Sequence, residues 1–183
     1  MANVTSRTAN WRLFGGGGLA LGGILWALAW ILAVAAVPTV TSWIFVIGLI
    51  IIAVALVFVA FGETGSNGAV GKYTLGKAAL VVYAAGWLLI AINTATGLGT
   101  AVVTIAGILV IVGGLVSAYA IYQKHIAKGA ARWILFVPAI IGTIYVLGLW
   151  IPTLASIIVL GLLVALGFLV TGVLYLVNDR KIG

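Results

Sequence analysis

Six apolar runs, each long enough to cross a lipid bilayer, constrain this chain more than any other feature. They extend from Leu13 to Val37, Trp43 to Phe61, about Ala78 to Ala95, Ala101 to Tyr122, Trp133 to Trp150 and about Leu154 to Val177. A spanning helix takes about 20 residues, so six crossings absorb roughly 120 of them. The chain has 183, which leaves no room for a separate soluble domain. Only 6% of the residues are charged, against roughly a quarter in soluble domains, so a water-soluble globule is excluded. The runs also lack the alternating apolar and polar pattern of barrel strands, which predicts helices. The sequence therefore reads as an all-α polytopic membrane protein, one transmembrane domain over residues 1–183, with the lipid bilayer as its solvent.

The charges orient these helices. All nine Lys and Arg fall in the N-terminal segment, two longer loops or the C-terminal tail: Arg7 and Arg12, Lys72 and Lys77, Lys124, Lys128 and Arg132, Arg180 and Lys181. If six spans alternate, every one of them lies on the same side. Short loops rich in Lys and Arg stay cytoplasmic. Both termini and the loops 62–77 and 123–132 are thus predicted on the inner face of a cytoplasmic (inner) membrane, with turns near Pro38, Gly97 and Pro152 outside. The net charge of +7 is on this reading a membrane-side signal. Its cations are scattered between apolar runs and form no stripe, so no nucleic-acid partner is expected. Trp11, Trp43, Trp133, Trp150, Tyr122 and Tyr175 stand near run ends, as headgroup-level residues do, whereas Trp26, Trp30 and Trp87 lie deeper and read as packing residues. The first run reads as a retained span, because its 25 residues exceed the roughly 7–15 of a cleavable leader. Within it, the helix-weakening glycines Gly15 to Gly18 mark a place for an interfacial turn.

A repeat is visible in the turns. They centre near residues 38, 97 and 152, which divides the chain into hairpins of about 12–62, 77–123 and 132–178. Pro38-Thr39-Val40-Thr41-Ser42 matches Pro152-Thr153-Leu154-Ala155-Ser156, and Thr96-Gly97-Leu98-Gly99-Thr100 stands between them without the proline. In each, Pro or Gly ends one helix and a following Ser or Thr is placed to cap the next. Because all three hairpins enter from the same side, the expected arrangement is a parallel pseudo-repeat about the membrane normal, with Pro38, Gly97 and Pro152 as structural outer-turn residues.

This layout resembles the HdeD-like family of six-span bacterial membrane proteins, through Pro38, Gly48, Gly107, Gly114, Pro152, Gly161 and Gly172 over nearly the whole chain. The resemblance implies a bacterial inner-membrane protein associated with acid-stress resistance, and it carries over no catalytic residue.

Reactive chemistry is sparse. A chain without cysteine has no disulfide, thiolate nucleophile, iron–sulfur cluster or cysteine-bound zinc. No ionisable Asp, Glu, Lys, Arg or His falls inside a run, so the usual proton-relay machinery of transporters is missing. Glu63 and Asp179 sit at inner helix ends. His125, in the basic loop, has no second histidine, thiolate or nearby carboxylate to share a metal with, so no metal or cofactor is expected. The hydroxyls and amides within the runs are Asn93, Thr94, Thr104, Ser117, Thr143, Tyr145 and Thr171, and Ser or Thr in such places mostly bond their own backbone or neighbouring helices. No Ser-His-Asp set can be assembled from them, and an enzyme is not expected. The 25 glycines, in spacings such as Gly18-xxx-Gly22 and Gly161-xxx-Ala165, point to close helix packing. Leucine is accordingly expected to be tolerated at position 93 and to impair assembly at Gly114.

Three readings of function follow. The first is a non-enzymatic membrane protein, HdeD-like, acting in stress tolerance or as an accessory of another membrane complex, with a membrane-protein partner or a second copy of itself. The second is a passive channel or carrier for a small uncharged solute or lipid, lined by Asn93, Thr94, Thr143 and Tyr145. The third is a pigment or quinone binder that stacks its ligand on Trp26, Trp30 and Trp87.

Overall fold

A computed structural model describes residues 11–35, 38–62, 68–151 and 157–177. Among the described residues there are six helices long and apolar enough to cross a membrane and no strand. We label them α1 (Gly17–Val34), α2 (Pro38–Phe61), α3 (Thr74–Thr96), α4 (Thr100–Lys124), α5 (Phe136–Trp150) and α6 (Ile157–Val177). Pro152, Glu63, Asp179, Arg7, Arg180 and Lys181 lie outside the described residues.

The predicted interfacial break at the four glycines does not occur. A π-helical turn, Arg12–Gly16, runs directly into α1, so helix continues from Arg12 to Val34. The helix-weakening glycines show themselves as a local widening of the backbone spiral. Proline opens α2 at Pro38, where its fixed φ suits a first helical turn and its missing N–H has no helical acceptor in any case. Gly97 ends α3 in the left-handed conformation, with φ +69° and its N–H on the Asn93 carbonyl. Alone, α5 has 15 residues, about 22 Å of helix. The preceding 3-10 turn Gly129–Arg132 extends the apolar segment to 22 residues, Gly129–Trp150.

Each helix packs against its neighbours in the chain and α6 closes on α1, so the six form a ring. Glycine makes the close crossings possible, because without a side chain the backbones approach and gain dispersion contact that lipid does not otherwise drive. A Cβ on Gly22 would stand 2.9 Å from the Gly48 carbonyl oxygen across α1 and α2, and one on Gly23 would stand 2.7 Å from the Ala165 carbonyl oxygen across α1 and α6. The run Gly15 to Gly18 is divided between partners: Gly15 and Gly18 face Val59 and Ala55 of α2, Gly16 faces Gly172 and Tyr175 of α6, and Gly17 faces open space. Between α3 and α4 the tightest glycine is Gly113, where a Cβ would lie 2.5 Å from the Tyr83 amide nitrogen, whereas at Gly114 it would meet only the Tyr83 ring, at 3.0 Å.

Aromatic rings fill the centre. Trp26 of α1 lies 5.0 Å from Trp87 of α3, 5.8 Å from Tyr145 of α5 and 5.6 Å from Phe45 of α2, ring centre to ring centre. Phe168 of α6 closes the cluster at 5.8 Å from Trp87. Trp26, Trp87 and Phe168 are wholly buried. Tyr83 of α3 joins them at 6.0 Å from Trp87 and 6.1 Å from Phe168, so α1, α2, α3, α5 and α6 all send rings to the middle.

Two expectations for the run ends need correction. Trp11 and Tyr175 do not face headgroups: both are buried, in edge contact at 5.5 Å where the start of the first helix meets the end of α6. Trp43 and Trp133 are exposed, and Tyr122 packs against Trp133 with ring centres 4.2 Å apart and the planes tilted by 45°.

Candidate functional site

With antiparallel neighbours in a ring, the two ends of the molecule differ chemically. Arg12, Lys72, Lys77, Lys124, Lys128 and Arg132 all belong to the end where α1, α3 and α5 begin. The opposite end, where those helices finish, holds no charged side chain among the described residues.

A cavity of about 680 Å³ opens at this uncharged end. Its wall is built from the end of α3 (Ile90, Asn93, Thr94), the tight turn after it (Gly97, Gly99), the start of α4 (Thr100, Val103, Thr104), the end of α5 (Tyr145, Leu149, Trp150) and Phe45 of α2. A second space of about 240 Å³ shares Phe45, Thr94, Tyr145 and Leu149 with it and reaches Trp30, Thr41 and Ser42. The two form one vestibule with a side arm. Its position follows from the α4–α5 crossing at Gly107, whose open face receives the Trp150 ring. The lining residues of α4 all precede Gly107, on the turn side of that crossing. Below the vestibule, Tyr145 and Phe45 join the ring cluster around Trp26 and Trp87, which plugs the axis of the ring.

The polar groups divide into those engaged by the fold and those left to the space. The Thr94 and Thr104 hydroxyls donate to the carbonyls of Ile90 and Thr100, at 2.9 and 3.0 Å, which leaves their oxygen lone pairs as acceptors. The Asn93 side-chain oxygen accepts from the Gly99 amide at 2.9 Å, and its NH2 group has no hydrogen-bond partner among the described residues. The Tyr145 hydroxyl, on a residue only 3% exposed, also makes no hydrogen bond among them. Beside the side arm Trp30 lies over Gly161, its indole N–H buried and without a hydrogen-bond partner among the described residues. The vestibule is therefore an aromatic and aliphatic pocket with convergent uncharged donors, the usual composition of a site for a small organic molecule.

Of the four residues expected to form a polar lining, the structure brings together Asn93, Thr94 and Tyr145. Thr143 stands apart from them: its hydroxyl donates to the Ala139 carbonyl at 2.8 Å, and it lies two residues from Tyr145, about 200° around the helix. Among the outer-turn residues, Gly97 lines the vestibule, Pro38 starts α2, and Pro152 is outside the described residues. The stacking surface expected of the deep tryptophans is not available, because Trp26 and Trp87 are wholly buried against other rings. Only Trp30 borders open space. Sequence reasoning missed Phe45, Leu149 and Trp150 as lining. The one signal that pointed to the region was the cluster of Thr and Gly at 94–104, flanking an outer turn.

No group of His, Asp or Glu suited to a metal occurs among the described residues. Comparisons of the chain with protein-family models, curated proteins and solved structures find no match, so the HdeD-like resemblance rests on the proline and glycine spacing alone.

Proposed function

We propose that this chain is a non-enzymatic protein of the cytoplasmic (inner) membrane that binds a small, uncharged, amphipathic molecule in the vestibule at its outward end. The observation that carries this reading is the vestibule's composition: aromatic walls, free donors on Asn93 and Tyr145, and no charge to neutralise an ion. A ligand that suits it has an apolar body for Phe45, Trp150 and Leu149 and a carbonyl, ether or hydroxyl oxygen for the Asn93 amide and the Tyr145 hydroxyl. The ring cluster beneath favours binding over passage, since a solute crossing the axis has to part Trp26, Trp87, Tyr145 and Phe168. The same reading puts the basic loops and both termini in the cytoplasm, which the charge asymmetry supports.

A photoreactive probe tests it. Purified protein in nanodiscs is irradiated with a diazirine-bearing long-chain alcohol and, separately, with the corresponding carboxylate and amine, and the labelled peptides are mapped. The expected result is saturable labelling near Asn93 to Thr104 and Tyr145 to Trp150 by the alcohol, lost in Tyr145→Phe with Asn93→Ala. Labelling spread evenly over the lipid-facing side chains, with no saturation, refutes the proposal.

A further inference from the structure

The basic end carries a second concavity, and its chemistry is opposite to that of the vestibule. A cleft of about 350 Å³ lies between the segment leading into α3 and the end of α4, lined by Val70, Gly71, Lys72, Tyr73, Lys124 and Ile126. Two ammonium groups from different parts of the chain border it. The Lys124 Nζ stands 4.2 Å from the centre of the Tyr73 ring, a cation–π contact that holds a long side chain against the cleft wall. Lys72 is exposed, and no hydrogen bond or ion pair engages it among the described residues. Tyr73 immediately precedes α3 and Lys124 is the last residue of α4, so the cleft lies where the apolar segments of two membrane-spanning helices end.

We propose that this cleft binds a phosphate group, delivered by an anionic phospholipid. Charge favours an anion: the whole chain has nine Lys and Arg against two Asp and Glu, and among the described residues no acidic side chain lines the cleft. Two lysines more than offset the single negative charge of a phosphodiester, which Lys binds as a point charge without the planar fork that favours Arg for bidentate pairing. The rest of the lining decides between lipid and free phosphate. Ile126 and the Tyr73 ring, both half-buried, are apolar partners for a glycerol backbone and the start of an acyl chain, and inorganic phosphate has nothing to place there.

Native mass spectrometry of the full chain in detergent tests this, with phosphatidylglycerol and phosphatidylcholine as probes. Wild-type protein is expected to retain phosphatidylglycerol in preference to phosphatidylcholine. Lys72→Gln with Lys124→Gln is expected to weaken that binding about 25-fold, at about fivefold per cation near a lipid surface. Lys72→Arg with Lys124→Arg keeps it, and Lys77→Gln, whose ammonium lies over Phe61 outside the cleft, leaves it unchanged. Both lysines of the cleft are exposed, and a thermal unfolding curve checks that the Gln variant is folded. Equal retention of the two lipids, equal binding by wild type and the Gln variant, or an equal loss in Lys77→Gln overturns the site. Displacement of phosphatidylglycerol by millimolar inorganic phosphate overturns the assignment to a lipid.

Discussion

The side-chain oxygen of Asn93 accepts a hydrogen bond from the backbone amide of Gly99 at 2.9 Å, tying the last turn of α3 to the residue that precedes α4. The Asn93 carbonyl meanwhile accepts from the Gly97 amide at 2.8 Å. One residue thus holds the first and last amides of the three-residue turn, while its NH2 group is left to the vestibule. The sequence-based expectation that leucine is tolerated here does not fit this arrangement.

Asn93→Leu is therefore expected to lower stability by about 1 kcal/mol, the usual net value of such a bond. Gly99→Ala is expected to cost about 1–3 kcal/mol, because Gly99 has φ +102° and ψ −178°, a region closed to residues with a Cβ. Thermal unfolding in detergent, followed by circular dichroism, measures both; unchanged midpoints contradict the clamp.

Glycine substitutions along the continuous helix from Arg12 to Val34 separate close approach from mere composition. Gly17→Ala is expected to be neutral or to stabilise by about 0.5–1 kcal/mol, since Ala is the better helix former and a Cβ there meets nothing within 4 Å. Gly16→Ala and Gly23→Ala, which press on α6, are expected to lower the unfolding midpoint. The same measurement with the three variants side by side checks this, and a similar loss in all three contradicts it.

On the α3–α4 crossing, Gly113→Ala is expected to cost more than Gly114→Ala, by about 1–3 kcal/mol as overpacking generally does. At Gly113 the obstacle is the Tyr83 backbone, whereas at Gly114 it is the rim of a ring. The order of the two unfolding midpoints is the test.

Sidedness is accessible because the chain has no cysteine of its own. In sealed cells, Lys72→Cys and Lys128→Cys are expected to resist a membrane-impermeant maleimide, and Leu98→Cys, which is 59% exposed in wild type at the opposite end, to react. Labelling of Lys72→Cys and Lys128→Cys from opposite faces overturns the six-span topology.

A planar-bilayer recording follows from the packed centre. Wild-type protein is expected to show no steady conductance. Trp26→Ala removes the ring that touches Phe45, Trp87, Tyr145 and Phe168 together and is expected to cost about 3–5 kcal/mol in stability.

Membrane embedding, the number of spans and the gathering of the cations at one end were legible from the sequence, because each depends on a property that acts locally. Apolar length decides whether a segment enters lipid, and the placement of Lys and Arg along the chain decides which ends they share, whatever the helices later touch. The vestibule was legible only in pieces. Asn93 and Thr94 stand at a turn that the sequence marks, but Tyr145 joins them from a helix 52 positions away, and Thr143 looked equally suitable. Which face of α5 turns inward is set by packing against α4 and α6 through Gly107, Pro138 and Gly167, and no hydrophobic stripe announces it on a helix that is apolar all round. For the same reason the closing of the ring by α6 on α1, the division of four consecutive glycines between two partners and the burial of Trp11 and Tyr175 were decided by the tertiary structure alone. In lipid, burial discriminates little between apolar residues, so shape, which exists only once the helices meet, makes the choice.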